Sequence, residues 1–295
     1  MRSKIDRLLL AALAAIVLSA PAATKGGMVM TDIEKKTCLA PDGVTIVYSA
    51  AGSGEPALLF IHGGLAERSF WDAQLRAFAG SHRTIALDLP GHGESGSNRK
   101  TWGMAEFGAD VRAVVEAEEL NKVVLIGNSL GGPVAIEAAL LLPGKAGGVI
   151  GVDTFQSLDY KITSDEARQR AEDFRRDYSG SVKQMVRSLF HADADPAVVA
   201  DAEKRMAHTP PEAAYAMFMS MAGYDVAAST SKLSVPLRAI NGDLYPTDVP
   251  GVRRIKADFE VVVLPHIGHY PMLECPEEFN RRLAEVVAGL SEPAP

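Results

Sequence analysis

The chain has only two cysteines, no long block of basic residues, and no apolar run long enough to cross a bilayer comfortably. Each shortage excludes a class. Cys38 and Cys275 cannot form the dense disulfide framework of a small secreted domain, and no Cys/His cluster has the spacing of a zinc site. Both thiols are expected to be unpaired. Against 30 Lys and Arg stand 37 Asp and Glu, a formal net charge of −7. That balance argues against nucleic acid or an anionic membrane surface as a partner. No internal repeat or low-complexity segment is visible, so solenoids and linker-rich arrays are also excluded. What remains is a chain of 295 residues, 47% hydrophobic and 23% charged, large enough to bury one core with an inserted subdomain.

The first residues differ in kind. Arg2, Lys4 and Arg7 precede the apolar run Leu8 to Leu18, and Ala20-Pro21-Ala22 fits a small-x-small cleavage pattern. This predicts a signal peptide over residues 1–22, a flexible segment over 23–34, and a periplasmic or secreted mature protein without stable membrane association. An uncleaved anchor is the competing reading, and eleven apolar residues are short for it.

From Lys35 onward short apolar runs alternate with helical patterns, the signature of a mainly parallel sheet. Lys36 to Ala40 and Val44 to Ser49 flank a Pro-Asp-Gly turn and predict an antiparallel hairpin at one edge. Ala57 to Ile61, Thr84 to Asp88, Val123 to Ile126, Val149 to Val152, Leu237 to Ile240 and Val261 to Leu264 complete eight strands. Their continuous apolar character suits a sheet covered on both faces. Helices are expected at Met104 to Leu120, Gly132 to Leu142 and Pro276 to Leu290. Between Thr154 and Ser234 the pattern is helical only, with segments near Ser164 to Tyr178, Ser181 to Phe190, Asp195 to Met206 and Pro211 to Met221. The predicted organisation is a core of residues 35–153 and 235–295 with a helical lid, 154–234, inserted after strand six. Met185, Met206, Met217, Met219 and Met221 of the lid either line a pliable apolar binding surface or pack its helices together.

The most specific chemical signal is Gly127-Asn128-Ser129-Leu130-Gly131-Gly132, directly after a strand and opening a helix. A tight strand-to-helix turn of this kind lifts a serine clear of the carboxyl end of a sheet. Gly127 and Gly131 belong there because side chains would collide with neighbouring backbone. A serine hydroxyl is a poor nucleophile at neutral pH, so an imidazole must take its proton. His269, in a glycine-containing loop after the last strand, is the strongest candidate among seven histidines. His82, His191, His208 and His266 suit surface or loop roles, although His191 could face substrate.

Together with its surroundings this pattern resembles the α/β-hydrolase family along nearly the whole mature chain. Phe60-Ile61-His62-Gly63-Gly64 is similar to the family's oxyanion loop after strand three. Asp88 to Ser95, Asp-Leu-Pro-Gly-His-Gly-Glu-Ser, is similar to its loop after strand four, and Gly268-His269 with Pro271 and Glu274 to its histidine loop. The resemblance implies a mostly parallel eight-stranded sheet with helices on both faces and a helical lid after strand six. It implies Ser129 as nucleophile, His269 as base, and an oxyanion hole from the N–H groups of Gly64 (or Leu65) and Leu130. His62 would brace the oxyanion loop, and His92 would belong to a structural turn, with a substrate-facing position open to it.

The acid departs from the common pattern. Family members mostly carry it after strand seven, three residues beyond a glycine, but in Gly242-Asp243-Leu244-Tyr245 that position is a tyrosine. A second arrangement places it at the end of strand six, where Ile150-Gly151-Val152-Asp153-Thr154 supplies Asp153. The purely structural alternatives are Asp153 as a cap leading into the lid and Asp243 as a turn-former. The reading favours Asp153, with Asp243 as alternative and Asp248 third.

The implied activity is hydrolysis of a small carboxylic ester through an acyl-enzyme, with no metal or organic cofactor required and a small-molecule ester as partner. Branches with an aspartate nucleophile, the dehalogenases and epoxide hydrolases, are set aside because position 129 is serine. Lactonase, amidase, carbon–carbon hydrolase and perhydrolase chemistry share the same parts. A slow-turnover ligand receptor is the reading from a different class, and a non-catalytic binding module sits poorly with Ser129 and His269 together.

Overall fold

The computed structural model describes residues 32–159 and 161–290. The leader expected over residues 1–22 lies outside the described residues, as do residues 23–31 of the segment expected to follow it. Eight strands form one sheet: β1 (Glu34–Leu39), β2 (Thr45–Ala51), β3 (Ala57–Ile61), β4 (Thr84–Leu87), β5 (Val123–Asn128), β6 (Ala146–Val152), β7 (Leu237–Gly242) and β8 (Glu260–Leu264). Glu34 is therefore part of the first strand rather than of a flexible segment. Its pairing with Ala50 starts the ladder.

The order across the sheet is β1-β2-β4-β3-β5-β6-β7-β8. The β1–β2 hairpin pairs antiparallel to β4, and every later neighbour is parallel. Burial follows position: β3, β4 and β5 are buried at every residue, whereas the edge strands β1 and β8 alternate or expose residues such as Val263. This is why the central runs are continuously apolar and the edges are not.

Helices cover both faces. They are α1 (Asp72–Phe78), α2 (Met104–Ala117), α3 (Gly131–Leu140), α4 (Ser164–Arg176), α5 (Tyr178–Ser188), α6 (Pro196–Met206), α7 (Pro211–Met221), α8 (Val226–Thr230), α9 (Val249–Ile255), α10 (Pro271–Glu274) and α11 (Pro276–Gly289). The five helices α4 to α8 form the insertion between β6 and β7. Sequence chemistry starts them cleanly. Thr163 and Glu166 make a reciprocal capping box on α4, Asp177, Asp195 and Asp225 cap α5, α6 and α8 through their carboxylates, and Pro196 and Pro211 occupy first turns. No helix among the described residues is long and apolar enough to cross a membrane.

Candidate active site

The turn after β5 is as tight as its glycines require. A Cβ on Gly127 would lie 2.0 Å from the carbonyl oxygen of Gly131, and one on Gly131 would lie 2.4 Å from that of Ile61. Between them Ser129 adopts a left-handed φ of 51°, an unfavourable backbone for a residue with a Cβ, held by its N–H to Val152 O (3.2 Å) and by Gly132 N–H to its own carbonyl (3.0 Å). Ser129 thus stands at the carboxyl end of the sheet, where it lines a pocket of about 220 Å³.

Asp153 follows β6, next to β5 in the sheet. It too has a left-handed φ, 44°, and its N–H donates to Ile240 O of β7 (3.0 Å). Its side chain is fully buried and both oxygens are engaged: Oδ1 accepts from Gly242 N–H (3.1 Å), and Oδ2 lies 2.5 Å from His269 Nδ1. With Nδ1 donating to the carboxylate, Nε2 is left as the acceptor nitrogen of the imidazole. The His269 loop is fastened on three sides. Its N–H donates to Leu189 O of the insertion (2.8 Å), while Glu274 accepts from Gly268 N–H and Tyr270 N–H, each at 3.0 Å. Burial raises the carboxyl pKa of Glu274, an effect opposed by those two donors.

Asp243 is not brought to His269. Its Oδ1 pairs with His191 Nε2 (2.9 Å) and its Oδ2 accepts from His266 N–H (2.8 Å), and these donors hold its pKa below the usual carboxylate range. Asp248 caps α9 through Gly251 N–H. Of the three acids considered from the sequence, only Asp153 contacts His269. His191 stacks on His266, 4.7 Å between centroids, rather than lining the pocket beside Ser129.

The loop after β3 packs directly on the serine turn. A Cβ on Gly63 would come within 2.8 Å of Asn128 Oδ1 and 3.2 Å of Ser129 Cβ. Leu65 has φ 61°, and its carbonyl accepts from Thr209 Oγ1 of the insertion (3.1 Å). No hydrogen bond among the described residues uses the N–H of Gly64 or of Leu130. His62 is fully buried: Nδ1 meets Gly63 O at 2.7 Å, and Nε2 accepts from Leu89 N–H at 3.0 Å, so the ring is neutral and ties two loops together. Burial lowers its pKa to about 4, and that of neighbouring His92, whose ring centroid is 5.0 Å away, to about 3. His92 is buried and is not among the pocket's lining residues.

One contributor is not evident from the sequence pattern. Asn128 occupies the variable position of the glycine-serine motif. Its buried Nδ2 donates to Val152 O (2.9 Å) and His269 O (3.0 Å), so one amide joins the serine turn, the strand end before Asp153 and the histidine loop. A polar residue ending an otherwise apolar strand was the available signal. Met217, one of the methionines singled out in the sequence, packs against the oxyanion loop, since a Cβ on Gly64 would lie 2.7 Å from its sulfur. Of the insertion's methionines, Met217 and Met206 are buried and Met221 lines the pocket.

Among the described residues no group of three or more His, Cys, Asp or Glu side chains could hold a metal ion. Both cysteines are free thiols whose pKa burial pushes up to about 11, which keeps them protonated and unreactive at neutral pH.

This sheet order, turn and histidine loop define a recognised class: residues 58–282 match the model of the alpha/beta hydrolase family, and the chain belongs to that family. Within it, the chain is similar to a pimeloyl-[acyl-carrier protein] methyl ester esterase of Nitrosospira multiformis, at 26% identity over 80% of this chain and 95% of that one. Among solved structures it is similar to a thermophilic esterase from Thermogutta terrifontis (TM-score 0.79, 25% identity, 88% of this chain and 100% of that one). It is also similar to a putative aryl esterase from Burkholderia cenocepacia (TM-score 0.75, 26% identity, 87% and 99%). The protein is an α/β-hydrolase with esterase relatives.

Proposed function

We propose that this protein is a serine hydrolase that cleaves a small carboxylic ester through an acyl-enzyme, with Ser129, His269 and Asp153 as its triad. One observation carries the reading: the buried 2.5 Å contact between Asp153 and His269 Nδ1, in a loop that Asn128 ties to the strained left-handed turn of Ser129. That contact supports an imidazole with its acceptor nitrogen available to the serine. Ser129 Oγ attacks the ester carbonyl as His269 Nε2 takes its proton. The oxyanion is received by the N–H groups of Gly64 and Leu130, and Asp153 stabilises the imidazolium that forms. His269 then protonates the departing alcohol, and water attacks the acyl-enzyme by the same proton route in reverse.

The test is multiple turnover of a short-chain nitrophenyl ester by the wild type, with Ser129→Ala as control. Sustained turnover abolished in Ser129→Ala supports the reading. A single burst without turnover overturns it in favour of a slow receptor. A panel of esters, lactones and amides in the same assay separates carboxylesterase from lactonase or amidase action.

We further propose that the chain is exported, on the leader-like residues 1–22. Sequencing the amino terminus of protein recovered outside the cytoplasm should find Ala23 first; an intact Met1 there overturns cleavage.

A further inference from the structure

The pocket beside Ser129 lies where three parts of the chain meet, with Met104, Leu130 and Pro133 from the core, Phe155 from the link after β6, and Ile162 and Met221 from the insertion. The floor is an aromatic ring that has little room to move. Phe155 has a left-handed φ of 62° and is buried. Its ring fits only because Gly132 and Gly151 lack side chains: a Cβ on Gly132 would lie 3.0 Å from Phe155 Cζ, and one on Gly151 would lie 2.6 Å from Phe155 Cδ2. A ring locked between glycines offers a fixed flat face, while the two thioethers on the walls are pliable and polarizable.

Among the described residues this lining holds no charged side chain. Its polar members besides Ser129 are Thr154, Gln156, Ser157 and Tyr224, and none carries a formal charge. The Tyr224 hydroxyl is turned to Glu137 (2.7 Å), which also accepts from Ser229 Oγ (2.6 Å), and Glu137 itself is not part of the lining. An ionised group seated against this lining would give up water without finding a counter-charge. Size sets a second limit. The pocket holds about 220 Å³, and a cavity of about 150 Å³ is enough for benzene.

We propose, resting on the ester-hydrolase reading above, that the substrate is a neutral ester with one compact apolar arm, an aryl ring or a chain of roughly six to eight carbons, seated on Phe155. The enzyme discriminates against the same arm bearing a terminal carboxylate.

The experiment measures kcat/KM of the wild type on two series. One varies the acyl group of a methyl ester (acetate, hexanoate, benzoate, laurate, and the monomethyl ester of adipic acid). The other varies the alcohol of an acetate (methyl, hexyl, benzyl, dodecyl, and 6-hydroxyhexanoate). In at least one series the rate should peak at the six- to eight-carbon arm, and the carboxylate-bearing partner should be more than about tenfold slower than its neutral counterpart. The variant Met221→Lys, at a partly exposed wall position, should narrow that ratio by about tenfold by supplying the missing counter-charge, with a melting temperature within about 2 °C of wild type as evidence of an intact fold. If Met221→Lys does not fold, Met221→Ala should instead move the peak to longer arms. A ratio of tenfold or less in both series, or a peak at methyl or dodecyl in both, overturns this inference while leaving ester hydrolysis standing. No turnover of any ester, neutral or charged, overturns the ester-hydrolase reading instead.

Discussion

Of the aspartate–histidine pairs among the described residues, two at the same end of the sheet share their residue types and differ in nearly everything else. Asp153 and His269 are buried, 2.5 Å apart, with the second carboxylate oxygen tied to the backbone of Gly242. Asp243 and His191 are 2.9 Å apart with 40% of the Asp243 side chain exposed. In water a pair of this kind contributes little, because the solvent already serves both partners. In the interior the same pair has no substitute, so its geometry is enforced and its loss is felt. The exposed pair joins the insertion to the core, assisted by Tyr245 Oη to Ser188 O (2.9 Å) and His266 Nε2 to Asp193 (3.0 Å). The buried pair orients the imidazole of a loop that Asn128 ties to the serine turn. Residue type alone does not separate these roles; dielectric surroundings and the second hydrogen bond do.

The comparison breaks most sharply at the acids themselves. Asp153→Asn should lower kcat on an activated ester by about a thousandfold or more, whereas Asp243→Asn should stay within about tenfold. The reverse order would transfer the acid's role to Asp243. Next comes the amide that holds the buried pair in place. Asn128→Ala should reduce kcat by roughly ten- to a hundredfold while KM stays within about twofold, because it misplaces the histidine loop and not the substrate. A change in KM alone would reduce Asn128 to a packing residue. At the exposed pair, His191→Ala should lower the melting temperature by no more than about 2 °C; a drop several times larger would show that this contact holds the insertion in place.

A pH-dependent effect belongs to the buried imidazoles. Burial lowers the pKa of His62 to about 4 and that of His92 to about 3. The unfolded chain therefore binds more protons than the folded one between about pH 6.5 and those values, so stability rises with pH across that window and falls on acidification. Urea-unfolding free energies should show this slope. His92→Gln should flatten it by up to about one proton, about 1.4 kcal/mol per pH unit. Equal slopes in wild type and His92→Gln would mean that His92 titrates alike in both states.

Much of the fold was legible because its signals are local. β3 and α7 fall on the residues that pattern alone indicated, and the other predicted strands are displaced by no more than three residues at either end. The helices that escaped, α1, α8, α9 and α10, have four to seven residues, too few turns to display an apolar period. At the site, Ser129 and His269 were legible because each stands in a glycine turn whose spacing is contiguous. Asn128 was not, since its partners Val152 and His269 lie 24 and 141 residues away. The displaced acid was half legible: Tyr245 at the usual position raised the question, and strand adjacency answered it.

By itself, then, the sequence determined the alternation of strands and helices, the tight turn at Ser129, the helical insertion and a short set of candidate acids, all properties of neighbouring residues along the chain. Only the tertiary structure decided which aspartate meets His269. The parallel pairing of β5, β6 and β7 brings the ends of three distant strands together, closes the site over with Asn128, and leaves Asp243 outside in contact with the insertion. It likewise gave the pocket its aromatic floor, because Phe155 finds space only against glycines 4 and 23 residues before it. Contacts of that kind arise from packing and strand order, which no window along the chain contains.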